Sequence, residues 1–300
     1  MEFLSYLISG ISLGSVYAII ALGYTMVYGI AKMLNFAHGD VIMVGGYISF
    51  CAMSYLGLNG WVALLLAMVV CTVLGIVIEG LAYKPLRQAS SLAVLITAIG
   101  VSYFLQNSAQ LIWGATPKVY PPIISPTNAA GKPTVLHLFG GELSISYVSL
   151  LTMAACIVIM IALTLFTSKT KMGKAMRACS EDKGAAQLMG INVNGTISLT
   201  FAIGSALAAI AGVLLCSSYP TLMPTTGSMP GIKAFTAAVF GGIGSIPGAF
   251  LGGILLGIIE ALAKAYISTQ LSNSIVFAVL IIVLLVRPAG LLGKYVPEKV

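Results

Sequence analysis

Apolar runs long enough to cross a membrane recur along the whole chain, and they limit what it can fold into. A spanning helix needs about 20 consecutive apolar residues. The longest runs are residues 4–30, 61–83, 92–113, 147–166, 197–217 and 249–267. Charged residues make up only 8% of the sequence, whereas a soluble domain carries about a quarter. We therefore expect an all-α polytopic membrane protein, a bundle of about 8–10 transmembrane segments that includes broken helices.

Two stretches interrupt the apolar pattern. Residues 35–40 read Asn-Phe-Ala-His-Gly-Asp, and residues 241–248 read Gly-Gly-Ile-Gly-Ser-Ile-Pro-Gly. Ionisable groups that lie inside a membrane segment mark transport pathways, and many transporters place broken helices beside the substrate. We predict that both breaks approach a substrate path. The candidate residues are Asn35, His38, Asp40, Gly241, Gly242 and Gly244.

Each break also has a simpler interpretation. Lys32 and Asp40 would equally mark a loop at the membrane interface, and the glycines would equally permit close packing of helices. The glycine run lacks the Gly-Lys-Ser/Thr ending of a phosphate-binding loop, so we expect no nucleotide site there.

One long polar segment, residues 168–196, separates the apolar runs. It has two acidic side chains, Glu181 and Asp182. Its basic side chains are more numerous, namely Lys169, Lys171, Lys174, Arg177 and Lys183. Lys and Arg accumulate on the cytoplasmic side of membranes, so this segment is predicted to be cytoplasmic. The C-terminus from Arg287 onward then lies on the same side and residues 114–146 on the opposite side. Topology and anionic lipid headgroups explain the formal charge of +7 without any nucleic acid.

The same segment carries apolar side chains that a solvated linker would not need. Met172, Ala175, Met176 and Cys179 recur at helical spacing. We predict a docking surface for a partner protein. Its residues are Ala178, Cys179, Ala185, Ala186, Leu188, Met189 and Gly190. The alternative is that the segment serves only as an orientation signal.

Groups suited to catalysis or metal binding are scarce. The only histidines are His38 and His137, and the five cysteines show no CxxC spacing, so we expect free thiols, no metal site and no cofactor. Glu260 and Lys264 stand at i, i+4 and are expected to neutralise each other. The sequence therefore offers little material for enzymatic catalysis, and we expect one transmembrane domain that spans residues 1–300.

Several motifs in the expected order resemble branched-chain amino acid ABC transporter permeases, in particular the smaller permease subunit of the pair. They occupy residues 14–23, 34–40, 45–47, 206–212, 233–235, 241–249 and 287–291. Ala185, Ala186 and Gly190 resemble the coupling loop of such importers, although Gly184 stands where that pattern has Glu and Thr200 where it has Pro.

The resemblance implies a channel-forming subunit of an ATP-driven importer in the bacterial inner membrane. Its implied partners are a second related permease subunit, two ATPase subunits, a periplasmic amino-acid-binding protein and membrane lipids. ATP hydrolysis would belong to the ATPase subunits. The alternatives are a stand-alone secondary transporter or channel for a small polar solute, and an ABC permease for urea or short amides. Co-purification of ATPase subunits would separate an ABC permease from a carrier that works alone.

Overall fold

The computed structural model describes residues 2–123, 135–138 and 143–293. Residues 294–300, which belong to the C-terminus predicted to be cytoplasmic, lie outside the described residues. So do parts of the 114–146 segment. The helices are α1 Glu2–Ala31, α2 His38–Ser54, α3 Gly60–Ile78, α4 Ser91–Trp113, α5 Tyr147–Lys169, α6 Lys171–Glu181, α7 Lys183–Leu188, α8 Val193–Ser218, α9 Ser228–Gly241, α10 Ile246–Tyr266 and α11 Ser272–Val286. Helix α3 continues through a π-helical turn, Glu79–Tyr83, and a 3₁₀ turn, Lys84–Leu86.

Short antiparallel strands tie loops together between the helices. Strand β1 (Lys118–Val119) pairs with β4 (Thr221–Leu222), and β2 (Val135–Leu138) pairs with β3 (Leu143–Ser146). The first pair joins the connection after α4 to the connection after α8, which lie about a hundred residues apart in the sequence.

Six helices in the described residues are long and apolar enough to cross a membrane, namely α1, α3 with its extension, α4, α5, α8 and α10. Helix α11 is apolar but shorter. This confirms the prediction of an all-α polytopic membrane protein. Helices α2 and α9 have 17 and 14 residues, so at about 1.5 Å per residue both fall short of the roughly 30 Å hydrocarbon core.

Helices α1, α8 and α10 form the centre of the bundle, and α3, α4, α5 and α11 present large exposed apolar side chains on its outside. Helices α1 and α10 run antiparallel at very short separation. A methyl group on Gly14 would lie 2.8 Å from the Cα of Ile254, and one on Gly253 would lie 2.4 Å from the Cα of Ala18. Small residues at these crossings allow the backbones to meet.

The bundle has two distinct ends. Helices α6 and α7 form an arm across one end, called the arm end here, where α1 finishes at Ala31. At the far end, α1 begins near the end of α10, where the rings of Tyr6 and Tyr266 are 5.9 Å apart. Polar side chains fix several helix starts; for example, Thr170 Oγ1 accepts the Gly173 N–H at the start of α6.

Candidate functional site

The chain breaks its helical path directly after α1. Lys32 has a φ of 57°, a left-handed conformation that glycine adopts far more easily than lysine. Its N–H still bonds the carbonyl of Tyr28 at 2.9 Å, so α1 ends in a left-handed cap. The following residues, 33–37, lead back to the start of α2.

Helix α2 begins beside the middle of the long helices instead of at either end. A methyl group on Gly23 of α1 would lie 2.6 Å from His38 Nε2, and one on Gly204 of α8 would lie 3.8 Å from His38 Cε1. From there α2 runs to the far end, where Ser49 Oγ and Tyr120 OH are 2.7 Å apart. The polar stretch found in the sequence is therefore the start of a half-length helix.

Helix α9 begins at the same place and runs the opposite way. A methyl group on Gly227 would lie 1.7 Å from the carbonyl oxygen of Gly39, and one on Gly231 would lie 2.9 Å from the Cα of Gly39. The two half-length helices thus meet start to start, and only glycine fits at the contact. Interrupted helices that run in opposite directions are typical of transporters.

Gln106 of α4 ties the two helix starts together. Its Nε2 donates to Asp40 Oδ1 at 2.8 Å and to Ser228 Oγ at 3.2 Å. Asp40 lies in the first turn of α2, where a carboxylate interacts favourably with the helix dipole. Asn35 Oδ1 accepts a hydrogen bond from Tyr83 OH at 2.9 Å. Asn35 and Asp40 are therefore held by different helices.

A cavity of about 420 Å³ opens beside this junction. Asp40, Ser102, Gln106 and Ser228 give it a polar side, and Phe36 belongs to its apolar side. Small-molecule pockets in proteins span about 300–1,000 Å³. The junction therefore combines non-helical backbone, one carboxylate and a space of ligand size.

The other path candidates lie at different places. The imidazole of His38 packs on the ring of Tyr24 at 4.6 Å and against Gly23, and His38 is not among the residues that line the cavity. The glycine turn follows α9 at the arm end, with φ of 106° at Gly242 and 95° at Gly244. A methyl group on Gly242 would lie 2.3 Å from the N of Gly293.

The arm consists of α6 and α7 and lies across one end of the bundle. Cys179 and Ala186 are buried against the bundle and Ala178 is half-buried, whereas Ala185 and Gly190 are exposed. The apolar side chains of Leu188 and Met189 are 90% and 83% exposed. Asp182 caps α7 by accepting the N–H groups of Gly184 and Ala185. Burial raises the pKa of the Cys179 thiol.

The arm is hydrogen-bonded to the end of α1, just before the break. Lys183 Nζ donates to the carbonyl oxygen of Ala31, the last residue of α1, at 2.8 Å. Partial burial, and then the charges of Arg87 and Lys32, hold the pKa of Lys183 below its ordinary value. Arg87 pairs with Glu79 and donates to Asn194, so α3, α8 and the arm meet at one point.

The sequence interpretation missed several residues of this site. Gln106 was detectable, because it is a polar residue inside the apolar run 92–113. Gly227 and Ser228 gave no such signal, since they stand in a turn-rich stretch among several glycines and prolines.

Comparisons with known proteins agree along the full chain. Residues 6–285 match the family described as the permease component of the branched-chain amino acid transport system. The chain is 45% identical over 307 residues to the high-affinity branched-chain amino acid transport system permease protein BraD of Pseudomonas aeruginosa, covering 100% of this chain and 98% of BraD. It is 46% identical over 308 residues to the corresponding protein LivH of Escherichia coli K12, with the same coverage. A probable branched-chain amino acid transport permease LivH of Methanocaldococcus jannaschii is 33% identical, over 79% of this chain and 74% of that protein.

Proposed function

The chain belongs to the family of permease components of branched-chain amino acid transport systems, and on that premise we propose that it forms one half of the channel of an ATP-driven importer for branched-chain or related amino acids. The observation that carries this proposal is the match along nearly the full length of two such permeases, at 45% and 46% identity. The two opposed half-length helices support a role in translocation.

The path for the amino acid runs along α9. Helix α9 starts at the junction with α2 and ends at the glycine turn, so Asn35, His38 and Asp40 lie near one end of the path and Gly241, Gly242 and Gly244 at the other. Irregular backbone at membrane depth persists only where protein or a water-filled cavity satisfies its polar groups. The cavity beside Asp40 fits that requirement.

The arm is the contact that couples the channel to ATPase subunits. Leu188 and Met189 expose large apolar surface next to Ala185 and Gly190, and exposed apolar side chains clustered on one element favour a protein partner. The buried residues Cys179 and Ala186, with the half-buried Ala178, would transmit movement of the arm to the bundle. Two ATPase subunits, a second related permease and a periplasmic binding protein complete the proposed assembly.

Orientation follows from the charge of the arm. The lysines and Arg177 of the 168–196 segment support a cytoplasmic arm end, since Lys and Arg accumulate on that side, and we propose the same side for Arg287 and the C-terminus. Labelling of Ser180→Cys in a cysteine-free background tests this proposal. Reaction with an impermeant thiol reagent added from the periplasmic side would contradict it.

Reconstitution tests the function itself. We expect liposomes that contain the purified assembly to accumulate leucine, isoleucine or valine only when ATP and the binding protein are supplied, with the ATPase subunits co-purifying. Uptake by this chain alone under a proton or sodium gradient would instead identify a secondary transporter. Uptake of urea or short amides without branched-chain amino acids would change the substrate class.

A further inference from the structure

A second polar cluster, separate from the α2–α9 junction, lies in the far half of the bundle between α1, α9 and α10. Glu260 Oε1 accepts hydrogen bonds from Lys233 Nζ at 2.7 Å and from Lys264 Nζ at 2.6 Å. Glu260 Oε2 accepts one from Tyr17 OH at 2.9 Å. Glu260 is only 1% exposed. The sequence predicted the Glu260–Lys264 pair, but Lys233 joins it from another helix.

The charges of this cluster do not balance. Two ammonium groups share one oxygen of a single carboxylate, and the remaining titratable groups on the cavity wall, Tyr17 and Tyr219, are phenols. The cluster therefore carries one positive charge in excess. Lys233 is buried, whereas the side chain of Lys264 is 39% exposed. Ionisable groups within membrane segments are rare and mark substrate pathways, and an excess positive charge on a cavity wall favours an anionic ligand.

A cavity of about 240 Å³ opens directly on the two lysines. Thr221, Thr226 and Tyr219 bring hydroxyl groups to its wall, and Leu13 and Leu215 bring apolar side chains. Thr226 Oγ1 accepts the N–H of Met223 at 2.7 Å, which leaves its hydroxyl proton as a donor. The cavity is smaller than the roughly 300–1,000 Å³ of drug-sized pockets, which suits a ligand of few heavy atoms.

We propose that this cavity binds the carboxylate of the transported amino acid, with Lys264 Nζ and the threonine hydroxyls as donors and the leucine side chains against the aliphatic chain. The inference rests on the proposed function and assigns a second binding site for the amino acid. It lies across α9 from the junction cavity, whose charged group is the carboxylate of Asp40. The two cavities thus offer opposite charges to the two ends of a zwitterion, and hydrogen bonds between oppositely charged groups are the strong ones.

Equilibrium binding of radiolabelled leucine to the purified full-length permease in its native assembly, without the binding protein, tests the proposal. Unlabelled leucine, leucinamide and 3-methylbutylamine are compared as competitors. The last two are chosen because they lack a carboxylate. We expect both analogues to compete at least tenfold more weakly than leucine, as befits the loss of a charge-assisted hydrogen bond. Lys264→Gln leaves the Lys233–Glu260 pair in place and should weaken leucine binding about tenfold. Lys264→Arg should retain binding, and Lys84→Gln, at an exposed position outside the arm and the cavity, is the control for loss of a lysine.

Equal competition by leucine and leucinamide, or unchanged leucine binding in Lys264→Gln, would overturn the assignment. Acetate that competes as well as leucine would show a site for any small carboxylate and would also overturn it. ATP-driven leucine uptake measured on the same wild-type preparation separates the two proposals. If leucine uptake is normal and any of these contrary binding results is found, only this inference is wrong. If leucine uptake is absent, the proposed substrate class is wrong.

Discussion

The ammonium of Lys183 donates a hydrogen bond to the carbonyl oxygen of Ala31, 152 positions earlier in the sequence. Lys183 is the first residue of α7 in the arm, and Ala31 is the last residue of α1 before the break. The next residue, Lys32, holds a left-handed conformation, and such residues persist where the surrounding structure fixes them. This hydrogen bond is therefore a direct connection between the arm and the residues that lead into the break.

Replacement of Lys183 tests this connection. Lys183→Met removes the hydrogen bond to Ala31 and leaves Leu188 and Met189 unchanged. Because Lys183 is partly exposed, we expect the contact between the arm and α1 to lose about 1 kcal/mol of stability, which is below the usual value for a hydrogen bond to a charged group. That loss corresponds to roughly fivefold in an equilibrium. ATPase co-purification should stay normal while ATP-driven leucine uptake falls.

Lys183→Arg is the matched control, since it retains a cationic donor at the same position. Normal leucine uptake by Lys183→Met would contradict the connection. Loss of ATPase co-purification in that variant would show instead that Lys183 belongs to the docking surface.

A charge on the exposed apolar surface of the arm should block docking of the ATPase. Leu188→Asp and Ala185→Glu each place a carboxylate against a partly apolar partner, and an unpaired charge buried there costs several kcal/mol. We expect co-purified ATPase and leucine uptake to fall at least tenfold in both variants, while the amount of permease in the membrane is unchanged. Gln88→Glu adds the same charge at another exposed position of the arm end and should have little effect. If Leu188→Asp and Ala185→Glu kept both properties, the segment would be an orientation signal only.

The sequence predicted the helical membrane fold because apolar runs of spanning length report it directly. The break at residues 35–40 was also detectable, since Asn35, His38 and Asp40 interrupt such a run. The meeting of Gly39 with Gly227 was not, because close backbone contacts between positions 188 residues apart leave no periodic pattern. Lys233 was missed for the same reason: Lys264 stands one helical turn from Glu260, whereas Lys233 reaches it from α9.

The start-to-start contact of the half-length helices should tolerate no side chain at Gly227. A methyl group there would lie 1.7 Å from the oxygen and 2.7 Å from the carbonyl carbon of Gly39, so one backbone segment must move. Overpacking of this kind costs about 1–3 kcal/mol. We expect Gly227→Ala to lower the thermal unfolding temperature of the purified protein and to reduce leucine uptake.

Gly100 in the middle of α4 offers the matched control, because a methyl group there would meet nothing within 4 Å. Gly100→Ala should be neutral or stabilise the helix by about 0.5–1 kcal/mol. Equal unfolding temperatures for Gly227→Ala and the unmodified protein would show that the two helix starts are not in fixed contact.

The bridge made by Gln106 should position Asp40 for the path. Gln106→Leu removes the hydrogen bonds to Asp40 and Ser228 and leaves a buried carboxylate without that donor, which costs about 1–3 kcal/mol. Gln106→Glu should be worse, because it places a second carboxylate where the amide now lies 2.8 Å from Asp40 Oδ1. Within the described part of the chain, the exposed side chain of the neighbouring Asn107 bonds only the carbonyl of Tyr103 on its own helix, so Asn107→Leu is the control.

Leucine uptake and permease abundance, measured together on these variants, separate positioning from folding. We expect uptake to decrease from the unmodified protein to Gln106→Leu and again to Gln106→Glu, with Asn107→Leu close to the unmodified protein. Asp40→Asn in the Gln106→Glu background removes the repulsion between the two carboxylates, and it should restore part of the uptake lost in Gln106→Glu. If uptake in that double variant stayed as low as in Gln106→Glu, the defect would not come from the charge of Asp40. Gln106 would then only hold α4 to the start of α9 through Ser228.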